Sequence, residues 1–145
     1  MLGTLDREQI DRVLHGSAVG RIGVHADGRT YVVPVSYVYD GDAVFCHSAE
    51  GLKIRMMRAN PEVCFEVDQI DDLANWRSVI AWGHYEELSA DLALAAVNLL
   101  RSRLGPLTNS ETAGPAGRAP EQEVDGIEVA YRIRLRERTG RFEKR

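Results

Sequence analysis

Phe45-Cys46-His47-Ser48-Ala49-Glu50-Gly51-Leu52-Lys53-Ile54-Arg55-Met56-Met57-Arg58 reads as the end of a strand, a loop of small residues and the first turns of a basic helix. A helix N-terminus offers unpaired backbone N–H groups and the positive end of the macrodipole. Gly51 lets the backbone approach closely and Lys53 lies just inside the helix. The stretch is therefore either a phosphate cradle or a surface turn whose cations are simply solvated. Lys53 favours the first reading, because a cation in the first helical turn is disfavoured by the dipole unless an anion accompanies it.

Upstream, Asp6 stands three residues before Gln9, and Leu5, Ile10, Val13 and Leu14 form a stripe that Gly16 can end, which predicts a helix from about Asp6 to His15. From Ala18 to Ala26 the period changes to alternation, and Asp27-Gly28 supplies a hairpin turn into a second strand, Arg29 to Asp40. In that strand Tyr31, Val33, Val35, Tyr37 and Tyr39 share one face, with Val32, Pro34, Ser36 and Val38 on the other. Both faces are largely apolar, so both are expected to be covered. Pro34 cannot donate to a ladder, which predicts an edge or a bulge with free backbone groups near Pro34 to Ser36. Asp40-Gly41-Asp42 then turns the chain into a third strand, Ala43 to His47.

Downstream, the basic helix from about Gly51 to Arg58 stops before Asn60-Pro61. Glu62 to Gln69 and Trp76 to Leu88 read as strands four and five. Ser89 caps a helix with Leu92, Ala96, Leu99 and Leu100 on one side, and a Gly- and Pro-rich stretch at about 105–125 reads as a flexible loop. Ile127, Val129, Tyr131, Ile133 and Leu135 alternate as strand six, with Arg132, Arg134 and Arg136 on its polar, solvated face. The expected fold class is mainly β (α+β): a six-stranded antiparallel split β-barrel with two or three peripheral helices, a single domain over 1–145.

At 145 residues and a net charge of −4, the chain suits one globular domain and argues against broad nucleic-acid binding. It shows neither a signal-peptide pattern nor an apolar run near bilayer length, so a cytoplasmic address with no membrane partner is expected. Cys46 and Cys64 form no C-x-x-C pair and read as buried thiols. His15, His25, His47 and His84 lack ligand spacing, so no metal is expected. His47 is a candidate proton donor or phosphate ligand, or else structural, because its reference pKa lies near working pH. Trp76 and Trp82 share a face of strand five, where core or interface packing is the first reading and flanking of a flat ring the second.

Three runs carry a family resemblance: Tyr31-Val32-Val33-Pro34-Val35-Ser36-Tyr37, Phe45 to Lys53, and Arg58-Ala59-Asn60-Pro61-Glu62-Val63-Cys64-Phe65-Glu66-Val67-Asp68. Together with Trp76-Arg77-Ser78-Val79 and Thr139-Gly140-Arg141-Phe142-Glu143 they resemble the pyridoxamine 5′-phosphate oxidase-like FMN-binding split barrels, most closely the nitroimidazole-resistance (Nim) branch. The resemblance implies a homodimer with FMN at the interface. It places the phosphate at Lys53, with His47, Ser48 and Gly51 wrapping phosphate and ribityl chain. The isoalloxazine edge would meet the main chain of Pro34, Val35 and Ser36, and Ser78 would be a polar flavin contact. Two positions depart from the pattern: Leu52 replaces a second phosphate-binding cation, and Ser36 stands where Nim-like sequences carry Asn. The substrate-binding tail of true pyridoxamine phosphate oxidases is not matched by Thr139 to Arg145, so that reaction is not expected.

The function this implies is an FMN-dependent oxidoreductase, nitroreductase-like, passing electrons from transiently bound NAD(P)H to a small-molecule acceptor. The sequence has no G-x-G-x-x-G fingerprint, so the nicotinamide would sit over the flavin face. The alternatives are a deazaflavin- or haem-binding relative, or a flavin-binding sensor without catalysis.

Overall fold

The computed structural model describes residues 1–105 and 128–145. The elements are β1 (Leu2–Thr4), α1 (Arg7–Gly16), β2 (Val19–Ala26), β3 (Arg29–Ser36), β4 (Val38–Tyr39), β5 (Ala43–Ala49), α2 (Leu52–Ala59), β6 (Glu62–Asp72), β7 (Asn75–Glu87), α3 (Ala90–Leu104) and β8 (Glu128–Glu143). Most of the loop expected at 105–125 lies outside the described residues.

Local chemistry fixes the first half of the chain. Asp6 and Gln9 cap α1 reciprocally: the Gln9 N–H donates to Asp6 Oδ1 at 2.9 Å and the Asp6 N–H to Gln9 Oε1 at 2.8 Å. The helix then buries Ile10, Val13 and Leu14. Asp27 (φ 54°) and Gly28 (φ 74°) are both left-handed, the conformation that a two-residue hairpin between right-twisted strands requires. β2 and β3 pair from Ala26↔Arg29 to Val19↔Ser36.

The architecture corrects the barrel expectation. All strands join one eight-stranded antiparallel sheet in the order β3-β2-β6-β7-β8-β5-β4, with β1 beside β8. The path is open, ending at β3 on one side and β4 on the other, so it is neither six-stranded nor a closed or split barrel. The break arises at Tyr37, where the expected strand 29–40 divides. The Tyr37 N–H turns back to Ala18 O at 3.0 Å, whereas Val38 and Tyr39 pair with Phe45 and Val44. One stretch of chain thus supplies both ends of the sheet, and no ladder joins them. Ile54 and Met57 of α2 enter the common core, where the helix packs against β2.

Two further expectations are revised, and a third is narrowed. The strand β1 is absent from the sequence reading because its three residues find a partner only at the far end of the chain, Leu2 opposite Glu143. Among the described residues no element of the chain itself covers the outer face of β3, where Pro34 and Ser36 are exposed and Val32 is 62% exposed, so its cover is left to a partner subunit or a ligand. The buried side of α3 is set by Ala96 and Leu100, while Leu92 is 58% exposed, so the stripe is rotated from the one expected. Among the described residues no helix is long and apolar enough to cross a membrane.

The inner face of the sheet is the core. Ile22, Val24, Val35, Val44, Phe65, Val67, Val79, Ala81, Tyr131 and Ile133 converge there with Leu14 and Met57. The Tyr37 ring meets Phe65 edge-on at 4.9 Å and its hydroxyl donates to Leu14 O at 2.7 Å, tying the strand break to α1.

Candidate functional site

The loop after β5 delivers the chain to α2 as the sequence suggests. Gly51 is the extended N-cap residue and no side chain caps the helix. Lys53, in the first turn, is half-buried and has no ion pair among the described residues. Arg58 on the same helix differs, since its guanidinium meets Glu50 at 2.9 Å and also pairs with Glu87. The charge of Lys53 reaches the core-facing Cys46 thiol, which burial pushes up to about 12 against the lowering effects of Tyr131 and Lys53.

Strand alternation separates two of the candidates. Ser48 shares the face of Cys46, and its hydroxyl donates to Ala49 O at 3.1 Å. His47 faces the other side, where Nε2 lies 2.7 Å from Glu128 Oε1. There it lines a cavity of about 440 Å³ with Arg58, Arg101, Leu94, Val97 and Val129. Ser48, Gly51 and Lys53 thus follow one another along the end of β5, the loop and the first turn of α2, while the His47 side chain turns to Glu128.

The β3 edge explains Pro34. Because the Tyr37 N–H bonds to Ala18 O, the hydrogen-bonded pairs of the β2–β3 ladder are those of Gly20 with Val35 and Ile22 with Val33. The backbone groups of Val32, Pro34 and Ser36 therefore point away from β2, along the open edge. The missing N–H of Pro34 falls where no ladder needs it. What remains available is the Pro34 carbonyl together with the N–H and carbonyl of Ser36. Val35 itself is buried, its side chain in the core.

Between Pro34 and Ser78 the outer face of the sheet carries residues that the sequence reading did not single out. Pro34 lies opposite Arg21, Arg21 opposite Glu66, and Glu66 opposite Ile80. Two residues along β6, Asp68 lies opposite Ser78 and Ser78 opposite Arg141. Arg21 Nη1 lies 3.7 Å from both Glu66 Oε1 and Asp68 Oδ2. The Ser78 hydroxyl donates to Glu66 Oε2 at 3.5 Å. One guanidinium thus serves two carboxylates, and the Glu66 carboxyl is pushed up to about 7, chiefly by burial and then by Asp68. The readable signal was two acids at i and i+2 of strand four, which alternation must set side by side. Around this row Val19, Ile80 and Trp82 are also exposed, Trp82 at 36%.

A family model described as pyridoxamine 5′-phosphate oxidase matches residues 6–142. A solved FAD-binding protein from Mesorhizobium loti is 28% identical, with a TM-score of 0.79 over 100% of this chain and 98% of its own. A candidate 5-nitroimidazole antibiotic resistance protein from Bacteroides thetaiotaomicron shares the fold at 20% identity, with a TM-score of 0.71 over 98% of this chain and 89% of its own. An uncharacterised protein of Rhizobium meliloti is 33% identical over 86 residues, 59% of this chain, and the match spans only 57% of that relative's length.

The strained carboxylate of Glu66 has a cost in stability. Its pKa is raised on folding, so the folded state binds the proton more tightly and stability falls as pH rises from the ordinary carboxylate range to about 7. Glu66→Gln removes that penalty. Relative to the parent it is expected to be neutral near pH 4.5 and more stable by about 1 kcal/mol at pH 8, after allowance for solvent screening. Urea unfolding at the two pH values measures it, and an equal difference at both would refute the assignment.

Proposed function

Because the chain belongs to the pyridoxamine 5′-phosphate oxidase family, we propose that it is a flavin-dependent oxidoreductase of the Nim-like kind, taking electrons from NAD(P)H and passing them to a small acceptor such as a nitroaromatic. FMN is the cofactor proposed first. The Mesorhizobium loti protein named as FAD-binding makes FAD the second candidate, and both carry a phosphate on the ribityl chain.

The observation that carries this reading is the half-buried Lys53, without an ion pair among the described residues, at the head of a helix that no side chain among them caps. Lys53 supplies a charge and the first-turn N–H groups supply donors, which together fit a phosphate dianion. Gly51 admits the anion to the backbone and Ser48 borders it. The outward carbonyl of Pro34 and both backbone groups of Ser36 offer donors and acceptors to the edge of a flat heterocycle, next to the buried Val35. Ser78 lies on the same face. The bound flavin would supply the two-electron chemistry, and the protein orients it and shields it from water. His47, paired with Glu128 beside the α3 cavity, is proposed to act on a small acceptor there rather than on the phosphate.

The purified protein should show a flavin absorbance spectrum; a deazaflavin or haem spectrum would replace the cofactor proposed here. Lys53→Ala should weaken FMN by about tenfold to a hundredfold, the loss of one charge-assisted contact. Riboflavin, which lacks the phosphate, should bind parent and variant alike in a fluorescence-quenching titration. Equal losses for both flavins would assign Lys53 to the loop's folding, and no loss would overturn the phosphate site.

A homodimer is proposed through the outer sheet face, on which Val19, Val32, Ile80 and Trp82 are exposed together. Trp82→Glu should shift sedimentation from dimer to monomer, and a parent protein that is monomeric at micromolar concentration would sink the proposal.

A further inference from the structure

The row from Pro34 to Ser78 has a chemical property of its own. Its middle is occupied by Arg21, Glu66 and Asp68, two carboxylates sharing one guanidinium at 3.7 Å on each side. The remaining neighbours of Glu66 provide no second cation in contact with it. On β6 it has Cys64 and Asp68 beside it, on β7 Ile80 and Ser78, and beyond β2 the uncharged Pro34 and Ser36. Arg141 and Glu137 lie one strand farther away, on β8, where Arg141 is opposite Ser78 and Glu137 opposite Trp82. Both proposed ring contacts, Pro34 and Ser78, adjoin this trio, Pro34 opposite Arg21 and Ser78 bonded to Glu66. A ring lying between them covers it.

From this arrangement the geometry points to Arg21 and Glu66 as the polar floor of the ring site, with Glu66 taking up a proton as the flavin binds. The inference rests on the flavin reading above. An isoalloxazine presents carbonyl acceptors flanking an imide N–H. Arg21 can donate to the carbonyls, and a protonated Glu66 can donate through its O–H while its carbonyl oxygen accepts from the N–H. A fully ionised Glu66–Asp68 pair under the ring would instead leave one uncompensated charge removed from water. Covering the row therefore favours the protonated form, extending what burial already does to Glu66, which stands near 7 before any ligand covers it.

The sign follows from linkage. The bound state holds the proton more tightly than the free state. Affinity is therefore level below the free pKa and falls as pH rises above it, until the bound pKa is passed.

Riboflavin is the probe, because its ring stays neutral across this range and it lacks the phosphate whose second ionisation lies near pH 6. Calorimetric titration at pH 7.5 in two buffers of different ionisation enthalpy should report uptake of a substantial fraction of one proton. Affinity should fall about tenfold from pH 6.5 to pH 8.5. In Glu66→Gln both the uptake and the pH dependence should vanish. Asp68→Asn keeps Glu66 but removes the neighbouring charge, so the fall in affinity should begin at lower pH. That variant carries the test if Glu66→Gln does not fold. Riboflavin binding without proton uptake, or with the same pH profile in the parent and both variants, would overturn this inference and leave the flavin reading standing. Failure of both riboflavin and FMN to bind would overturn the flavin reading itself and this inference with it.

Discussion

The ladder between β7 and β8 is the constraint on which the rest of the fold depends. β8 is paired along one side with β7 from Tyr131 to Glu143, and along the other with β5 near its start and β1 near its end. The register shifts between Trp82 and Gly83, which face Glu137 and Leu135, so one residue of β8 is left over in the middle. That extra residue inverts the alternation. Before it Arg132 and Arg134 face outward; after it Arg138, Gly140 and Phe142 face inward. Arg138 then reaches the carbonyls of Gly41 and Asp42 at 3.4 Å and lies over the Tyr39 ring. Gly140 makes room for Leu5 and Ile10, which seats α1. Gly83 is required at the shift itself, because a Cβ there would run into the Arg134 carbonyl.

How much of this was legible depends on whether the cause was local. The Asp27-Gly28 hairpin and the Asp6/Gln9 capping box depend on neighbours in sequence, and both appear as read. The helix after the small-residue loop, with Gly51 before it and Lys53 in its first turn, is of the same kind. What escaped the reading is determined across the fold. β1 exists only because Glu143 is brought to it, the division at Tyr37 is decided by Ala18, and the β8 bulge is visible only against β7. The open sheet follows from the Tyr37 division, since an unbroken strand from Arg29 to Asp40 is what a closed path would have needed. Of the candidate site, Lys53, Gly51 and the free edge at Pro34 could be read from local chemistry. The facing of His47 toward Glu128 could not, because Glu128 lies on β8, far along the chain from β5.

Charges left unbalanced on the surface mark where a ligand can bind. Three arginines of β8 have carboxylates at hand: Arg132 and Arg134 share Glu86, Arg134 also meets Asp42, and Arg136 meets Glu62. Such exposed pairs contribute little individually and leave no net charge to attract a ligand. Two places bear on a ligand, in opposite senses. Lys53 has no carboxylate among the described residues, whereas Arg21 has two. A ligand that is neutral throughout would leave the first place unmatched, and one that is anionic throughout would be repelled by the second. The proposed flavin is anionic at its phosphate and neutral at its ring, so it answers an unmatched cation at one end and a carboxylate pair short of a proton at the other. The same contrast makes Arg58 a poor phosphate ligand despite lying on α2, since its two carboxylates would have to be displaced first.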